Sequence, residues 1–146
     1  MRFYMYSPGI KGSVKFVNYL GWSELISVDA GDDLSGGGRP LAFVNGERRA
    51  DHTRISNLTV TKPMELDGGY LKFFDANRRH THFEHIVIDT VRVDGHSLIM
   101  RIVLKDATIA FYSTWVDSAL SYEMLNIEFK SINYNYTAYA TSPKDK

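Results

Sequence analysis

Three histidines in one short stretch, His80-x-His82-x-x-His85, are the side chains in this sequence best suited by type to holding a metal. Imidazole nitrogen is the commonest protein donor, and a structural site needs about four ligands converging on one point. The spacing opposes this. On an extended chain His80 and His82 share a face, while His85 turns to the other. Glu84 and Asp89 are near in sequence, but neither has an obvious place in a ligand set. The expectation is no metal, with the histidines at a surface or an interface. Asp32-Asp33 and the glycines after it lack the D-x-[DN]-x-[DN]-G order of a calcium loop. Gly36-Gly37-Gly38 lacks the Lys-Ser/Thr that holds phosphate and magnesium. There is no G-x-S-x-G nucleophile turn, and nothing singles out a carboxylate pair for hydrolysis. With no cysteine, thiolate zinc, iron–sulfur clusters, disulfides and a cysteine nucleophile are all excluded. The expectation is a protein that is not an enzyme, with no catalytic residues and no cofactor.

What remains is a problem of surfaces. The 146 residues suit one domain, 1–146, large enough for a real core. Seventeen basic residues balance seventeen acidic ones, so the chain has no global field to draw in nucleic acid or an anionic membrane. Lys11, Lys15, Arg48, Arg49, Arg78 and Arg79 form small basic clusters, read as solvated charge or subunit-interface pairing. Zero net charge also lowers the electrostatic barrier to self-association. No stretch approaches the roughly 20 apolar residues of a membrane helix. Met1–Tyr6 already alternates like a strand and no apolar run of signal-peptide kind follows it. A chain made in the cytoplasm, without membrane insertion, is expected.

Period-two alternation dominates the second half. Leu98, Met100, Ile102 and Leu104 share a face, as do Leu125, Ile127 and Phe129, and then Ile132, Tyr134 and Tyr136. Phe83–Val93 is richly β-branched, Thr108–Thr114 reads as a further strand, and Asp94-Gly95 suits a tight hairpin turn. The first half supplies Phe3–Tyr6, Trp22–Val28 and Arg54–Thr61 as strands. Between the last two lies a long glycine-rich loop, 29–51, of a length that implies a disordered segment, a lid or a segment ordered by a partner. One helix is expected over about residues 65–76. Acids stand at its start, Leu66, Tyr70, Phe73 and Phe74 fall at helical spacing, and Asn77 closes its end. The fold class is therefore mainly β with one short helix packed at the side.

Several ordered motifs together resemble one family. Tyr4-Met5-x-x-Pro8-Gly9-Ile10-Lys11-Gly12-Ser13 resembles the opening strand and Pro-Gly-Ile-Lys-Gly turn of the Hcp family, the tube protein of bacterial type VI secretion systems. Gly21-Trp22-x-Glu24-x-x-Ser27 is similar to its second strand. Ile55-Ser56-x-Leu58-Thr59-Val60-Thr61-Lys62-Pro63-Met64 is the most diagnostic piece. Leu104-Lys105-Asp106-Ala107-x-Ile109, Tyr112-Ser113, Glu123-x-Leu125-x-Ile127-x-Phe129 and Ile132-x-Tyr134-x-Tyr136 follow in the family's order. Glu65-Leu66-Asp67-Gly68-Gly69 and Arg78-Arg79-His80 depart from the family pattern around the helix.

The resemblance implies a small β-barrel of two antiparallel sheets with the helix at its side. It implies homohexameric rings stacked into a hollow tube, with a contractile sheath around it, a spike protein at its tip and effector cargo chaperoned in its lumen. It implies secretion through that system without a signal peptide. A head-to-tail ring uses two different patches on each subunit. From strand position, Glu24, Arg54 and Glu128 are candidate inter-subunit contacts. Within the 29–51 loop, Leu34, Leu41, Phe43 and Val44 are the candidate apolar anchors. The alternative reading is a small-ligand-binding β-barrel carrier, against which the long loop and the helix interrupt the up-and-down strand order such a barrel needs.

Overall fold

The computed structural model describes residues 1–29, 57–64, 70–93 and 97–136. Among these residues eight strands and one α-helix follow in order, with a 3-10 turn at Val17–Tyr19 between the first two strands: β1 (Arg2–Tyr6), β2 (Ser23–Leu25), β3 (Ser27–Asp29), β4 (Asn57–Pro63), α1 (Tyr70–Arg78), β5 (Phe83–Val91), β6 (Leu98–Val116), β7 (Ser121–Glu128) and β8 (Ser131–Tyr136). Every strand pairing is antiparallel, as the alternation requires.

The strands expected at 97–105 and 108–114 are one element. β6 runs 19 residues and serves both halves of the sheet. Its first part pairs with β5 as far as Ala107 on one side and with β8 as far as Lys105 on the other. Its second part, from Thr108, pairs with β7. Between the two, Asp106 takes a φ of 54°, and the register slips between Ile109 and Phe111. A local irregularity of this kind bends a strand and lets it pass from one sheet to the next. The Trp22–Val28 strand also divides. β2 pairs with β1 and β3 pairs with β4, and Ile26 alone stands between them.

The strand order is β2-β1-β5-β6-β7-β4-β3. The ladder is not closed by hydrogen bonds, so the barrel is a curled sheet rather than a sealed ring of strands. Its two ends are nonetheless consecutive in the chain, and the Ile26 amide donates to the Thr61 carbonyl at 2.6 Å across the corner. Inside the curl lie Met5 of β1, Leu58 and Val60 of β4, Ile86 and Ile88 of β5, Ile102 and Leu104 of β6, and Leu125 and Ile127 of β7, all buried. These are the inward positions of the period-two pattern.

α1 closes the remaining side with Phe73 and Ala76, both buried, while Phe74 is half exposed. The helix begins at Tyr70; residues 65–69, Leu66 among them, lie outside the described residues. It ends at Arg78, two residues beyond the expected end. Asn77 does not close it: its side-chain amide donates to the Ile109 carbonyl at 2.9 Å and pins α1 to β6. His80, with φ of 55°, takes the left-handed position after the helix instead. Phe73→Ala should lower stability by about 3–5 kcal/mol, read by denaturant unfolding; an unfolding midpoint equal to wild type would show that the helix stands on other side chains.

Candidate functional site

The three histidines are not gathered. His80 follows the helix, His82 lies exposed with its Nε2 3.9 Å from Asp106, and His85 faces outward on β5, its ring 6.3 Å from that of Tyr6. Among the described residues no group of three metal-ligating side chains converges.

Two buried polar networks do converge, and the charged pair at the centre of each was not singled out from sequence. In the first, Lys62 Nζ lies 2.8 Å from Glu123 Oε2, and both side chains are wholly buried. Tyr112 donates to Glu123 Oε1 at 3.0 Å, Lys62 donates to the Pro63 carbonyl at 2.9 Å, and the Phe73 ring lies 5.4 Å from the ammonium. The network joins β4, β7, β6 and α1. Its signal is present in the alternation: Lys62 continues the inward series Leu58, Val60, and Glu123 opens the inward series Leu125, Ile127. The two are direct cross-strand partners. A charge in the apolar phase of each of two neighbouring strands marks a buried pair.

In the second network, Asp89 is buried on the outer face of β5. Arg101 grips it with two hydrogen bonds of 2.7 and 2.8 Å, and Tyr19 donates to it at 2.7 Å. What buries Asp89 is the segment between β1 and β2, which folds back over the sheet. Tyr19 stacks on Tyr4 with ring centroids 4.6 Å apart, and Trp22 meets Tyr19 edge-on at 4.7 Å. Gly12 makes this return path feasible: a Cβ there would collide with the Trp22 carbonyl and Ser23 Oγ. Burial and the hydrogen bond to Asp89 push the Tyr19 hydroxyl pKa well above its ordinary value, and the bond to Asp89 raises that of Arg101. Unfolding releases the raised tyrosine, so stability is fully present below about pH 10 and falls above it as the unfolded chain ionises first. Denaturant titrations at pH 9 and pH 11 should show this fall in wild type and a smaller one in Tyr19→Phe. Equal slopes would remove Tyr19 from the account.

These networks hold the fold; they offer no nucleophile, no open metal position and no base poised on a cavity. Two grooves lie on the surface. One groove of about 570 Å³ on the outer face of β5 and β6 is lined by His85, Val87, Arg101, Val103 and Lys105, among others. A second, of about 410 Å³, lies between α1 and the far half of β6, lined by Met64, Leu71, Phe74, Tyr112, Ser113 and Thr114. Of the sequence-derived contact candidates, Glu24 is exposed on β2 with its carboxylate 3.8 Å from Arg2, and Glu128 is exposed at the end of β7 opposite Asn57 and Thr108. They stand on different parts of the sheet. Arg54, Leu34, Leu41, Phe43 and Val44 lie outside the described residues, as does Asp94-Gly95.

The family described as "Type VI secretion system effector, Hcp" matches residues 4–136. No curated protein matches the chain. Among solved structures the fold is similar to Hcp2 from Salmonella typhimurium, at 13% identity and a TM-score of 0.69 over 95% of this chain and 89% of that one. It is similar to Hcp1 from the same organism, at 13% identity and 0.71 over 92% and 86%. A type VI secretion system effector from Yersinia pestis is similar at 10% identity and 0.70 over 92% and 89%. Identities this low speak for the shared fold alone.

Proposed function

Because this chain belongs to the Hcp family of type VI secretion systems, we propose that it is a tube subunit that closes into six-membered rings and stacks them into a hollow conduit. A contractile sheath drives that conduit outward behind a spike protein, and effector cargo is held and chaperoned in the lumen. The observation that carries the reading is the family match over residues 4–136, which takes in β2 to β8 whole and β1 from Tyr4 onward. The rest is consistent with it. The net charge is zero, and no helix among the described residues is long and apolar enough to cross a membrane. The 29–51 loop, through Leu34, Leu41, Phe43 and Val44, and the charged side chains Glu24, Arg54 and Glu128 are the proposed contacts between subunits.

A ligand carrier would need a hollow interior. Here Met5, Leu58, Phe73, Ile86, Ile102 and Leu125 fill the space between the sheet halves and α1. The test of the tube reading is release. The protein should accumulate in culture medium from cells with an intact sheath and stay inside cells whose sheath is disabled. Purified protein should show a native mass near six chains. Sheath-independent release, or a strict monomer at every concentration, would sink the reading.

A further inference from the structure

The segment between β1 and β2 is a small structure of its own, laid on the outer face of the sheet. Its neck is closed by paired backbone. The Gly12 amide donates to the Gly21 carbonyl at 2.6 Å, the Val14 amide to the Trp22 carbonyl at 3.1 Å, and the Gly21 amide to the Val14 carbonyl at 3.0 Å. The turn inside is held likewise, the Tyr19 amide to the Phe16 carbonyl at 3.1 Å and the Trp22 amide to the Tyr19 carbonyl at 2.9 Å. These donors find their acceptors within residues 12–22, so lifting the segment whole breaks none of these bonds. A loop with close ends and its own hydrogen bonds can move as one body.

Side chains attach it to the sheet. Tyr19 is the one buried residue of 12–22, while Val17 and Leu20 beside it are 84% and 64% exposed. Tyr19 packs with Tyr4 of β1 and Val91 of β5, and Val14, Phe16, Trp22 and Leu98 surround them. The sheet lies between this cluster and the main core: Met5 and Ile88 point inward where Tyr4 and Asp89 point outward. The central polar tie is the Tyr19 hydroxyl on Asp89 at 2.7 Å. Breaking that tie orphans no charge. Asp89 keeps both hydrogen bonds from Arg101, at 2.7 and 2.8 Å, and water replaces the tyrosine.

We propose that residues 12–22 are a strap that lifts from β1 and β5 as one body while the core stays folded, with Tyr19 as its latch. The strap sets the length of the groove on the outer face of β5 and β6. Closed, that groove runs from Lys105 and His85 past Val87 and Val103 and stops at Arg101. Asp89 and Tyr4 follow Arg101 across the sheet, and Val91 lies one step beyond Asp89 on the same face. All three are buried with the strap in place. Lifting it adds them to the groove and gives a polar channel an apolar end. Ring formation plays no part in this motion, so the strap and the tube reading can fail separately.

The chain has no cysteine, so one introduced thiol reports on one place. Val91→Cys puts it under the strap, and Ile88→Cys puts it in the main core on the same strand; the two positions are 0% and 1% exposed. With excess dithiobis(nitrobenzoate) on the full chain, without denaturant, the Val91→Cys thiol should react at least about a hundredfold faster than the Ile88→Cys thiol. Adding Tyr19→Phe should speed the first about tenfold or more and leave the second within about twofold. Wild type supplies a comparison that needs no thiol, should either cysteine variant fail to fold. Tyr19 and Tyr134 are 6% and 7% exposed but belong to different clusters, and tetranitromethane should nitrate Tyr19 first, read by peptide mapping. Equal rates for the two thiols, or for the two tyrosines, would show that the segment opens only with the whole domain and would overturn the strap. A Tyr19→Phe replacement that speeds both thiols alike, or neither, would overturn the latch.

Discussion

Glu123→Ala is expected to destabilise the protein by about 3–5 kcal/mol, the cost of leaving a buried ammonium without its partner. Lys62 and Glu123 are both wholly buried and 2.8 Å apart. Removing the carboxylate takes from the Lys62 ammonium its 2.8 Å partner, and neither the Phe73 ring nor the Pro63 carbonyl offsets a full charge. It also takes away the acceptor of the Tyr112 hydroxyl at 3.0 Å. For a domain of this size such a loss corresponds to a fall in melting temperature of roughly 10–20 °C. The reverse truncation, Lys62→Ala, should cost a similar amount. The double replacement Lys62→Met with Glu123→Leu should recover most of the loss, because apolar side chains of similar volume need no solvation to replace. If the double variant is no better than the single ones, the pair is contributing net attraction and not merely avoiding an unpaired charge. If Glu123→Ala melts within a degree or two of wild type, water reaches Lys62 and the network is not sealed.

The position of this pair explains how much of the fold was legible in the sequence. A period-two pattern reports which residues share a face, and it placed most of the strands because the sheet has a dry inside. It cannot report whether two successive strands are one bent strand. From sequence β6 reads as two strands because Asp106-Ala107 interrupts the alternation, and that interruption is the bend itself. Trp22–Val28 reads as one strand because a switch between partners at Ile26 leaves no mark in residue type. Asn77 suits a helix end by propensity, yet its amide is taken by the Ile109 carbonyl, a tertiary contact that overrides the local preference. Asp89 sits in the outward phase and reads as a solvated charge; it is buried only because the segment between β1 and β2 folds back over it, a contact between residues 70 apart. The open groove beside α1 was illegible for the same reason: it exists only where a helix and the edge of a strand far from it in sequence come together. The family resemblance was legible because it depends on ordered local motifs, which the sequence carries directly.

Deleting Ser35–Gly46 is expected to leave the domain folded and to weaken assembly. Residues 30–56, 27 in all, join β3 to β4. These strands are antiparallel neighbours, with Asp29 opposite Thr59 and Val28 opposite Val60, so a connection of a few residues would bridge them. The deletion leaves 15 residues between the strands, ample for the span, and shortening the connection lowers its closure entropy by about 0.5 kcal/mol. Nothing in the β3–β4 ladder depends on the removed length, and the melting temperature should stay within about 2 °C of wild type. What the deletion removes is Leu41, Phe43 and Val44, three of the four proposed apolar anchors, from every subunit at once. In a six-membered ring a loss of only about 1 kcal/mol per contact sums to roughly 6 kcal/mol per ring, before any non-additivity. That is enough to turn a closed ring at micromolar concentration into free subunits. Native mass and sheath-dependent release read the outcome separately from the melting curve. A folded deletion variant that still forms rings, stacks and leaves the cell would show that the loop is dispensable for the tube, and that its length serves the cargo or the spike instead.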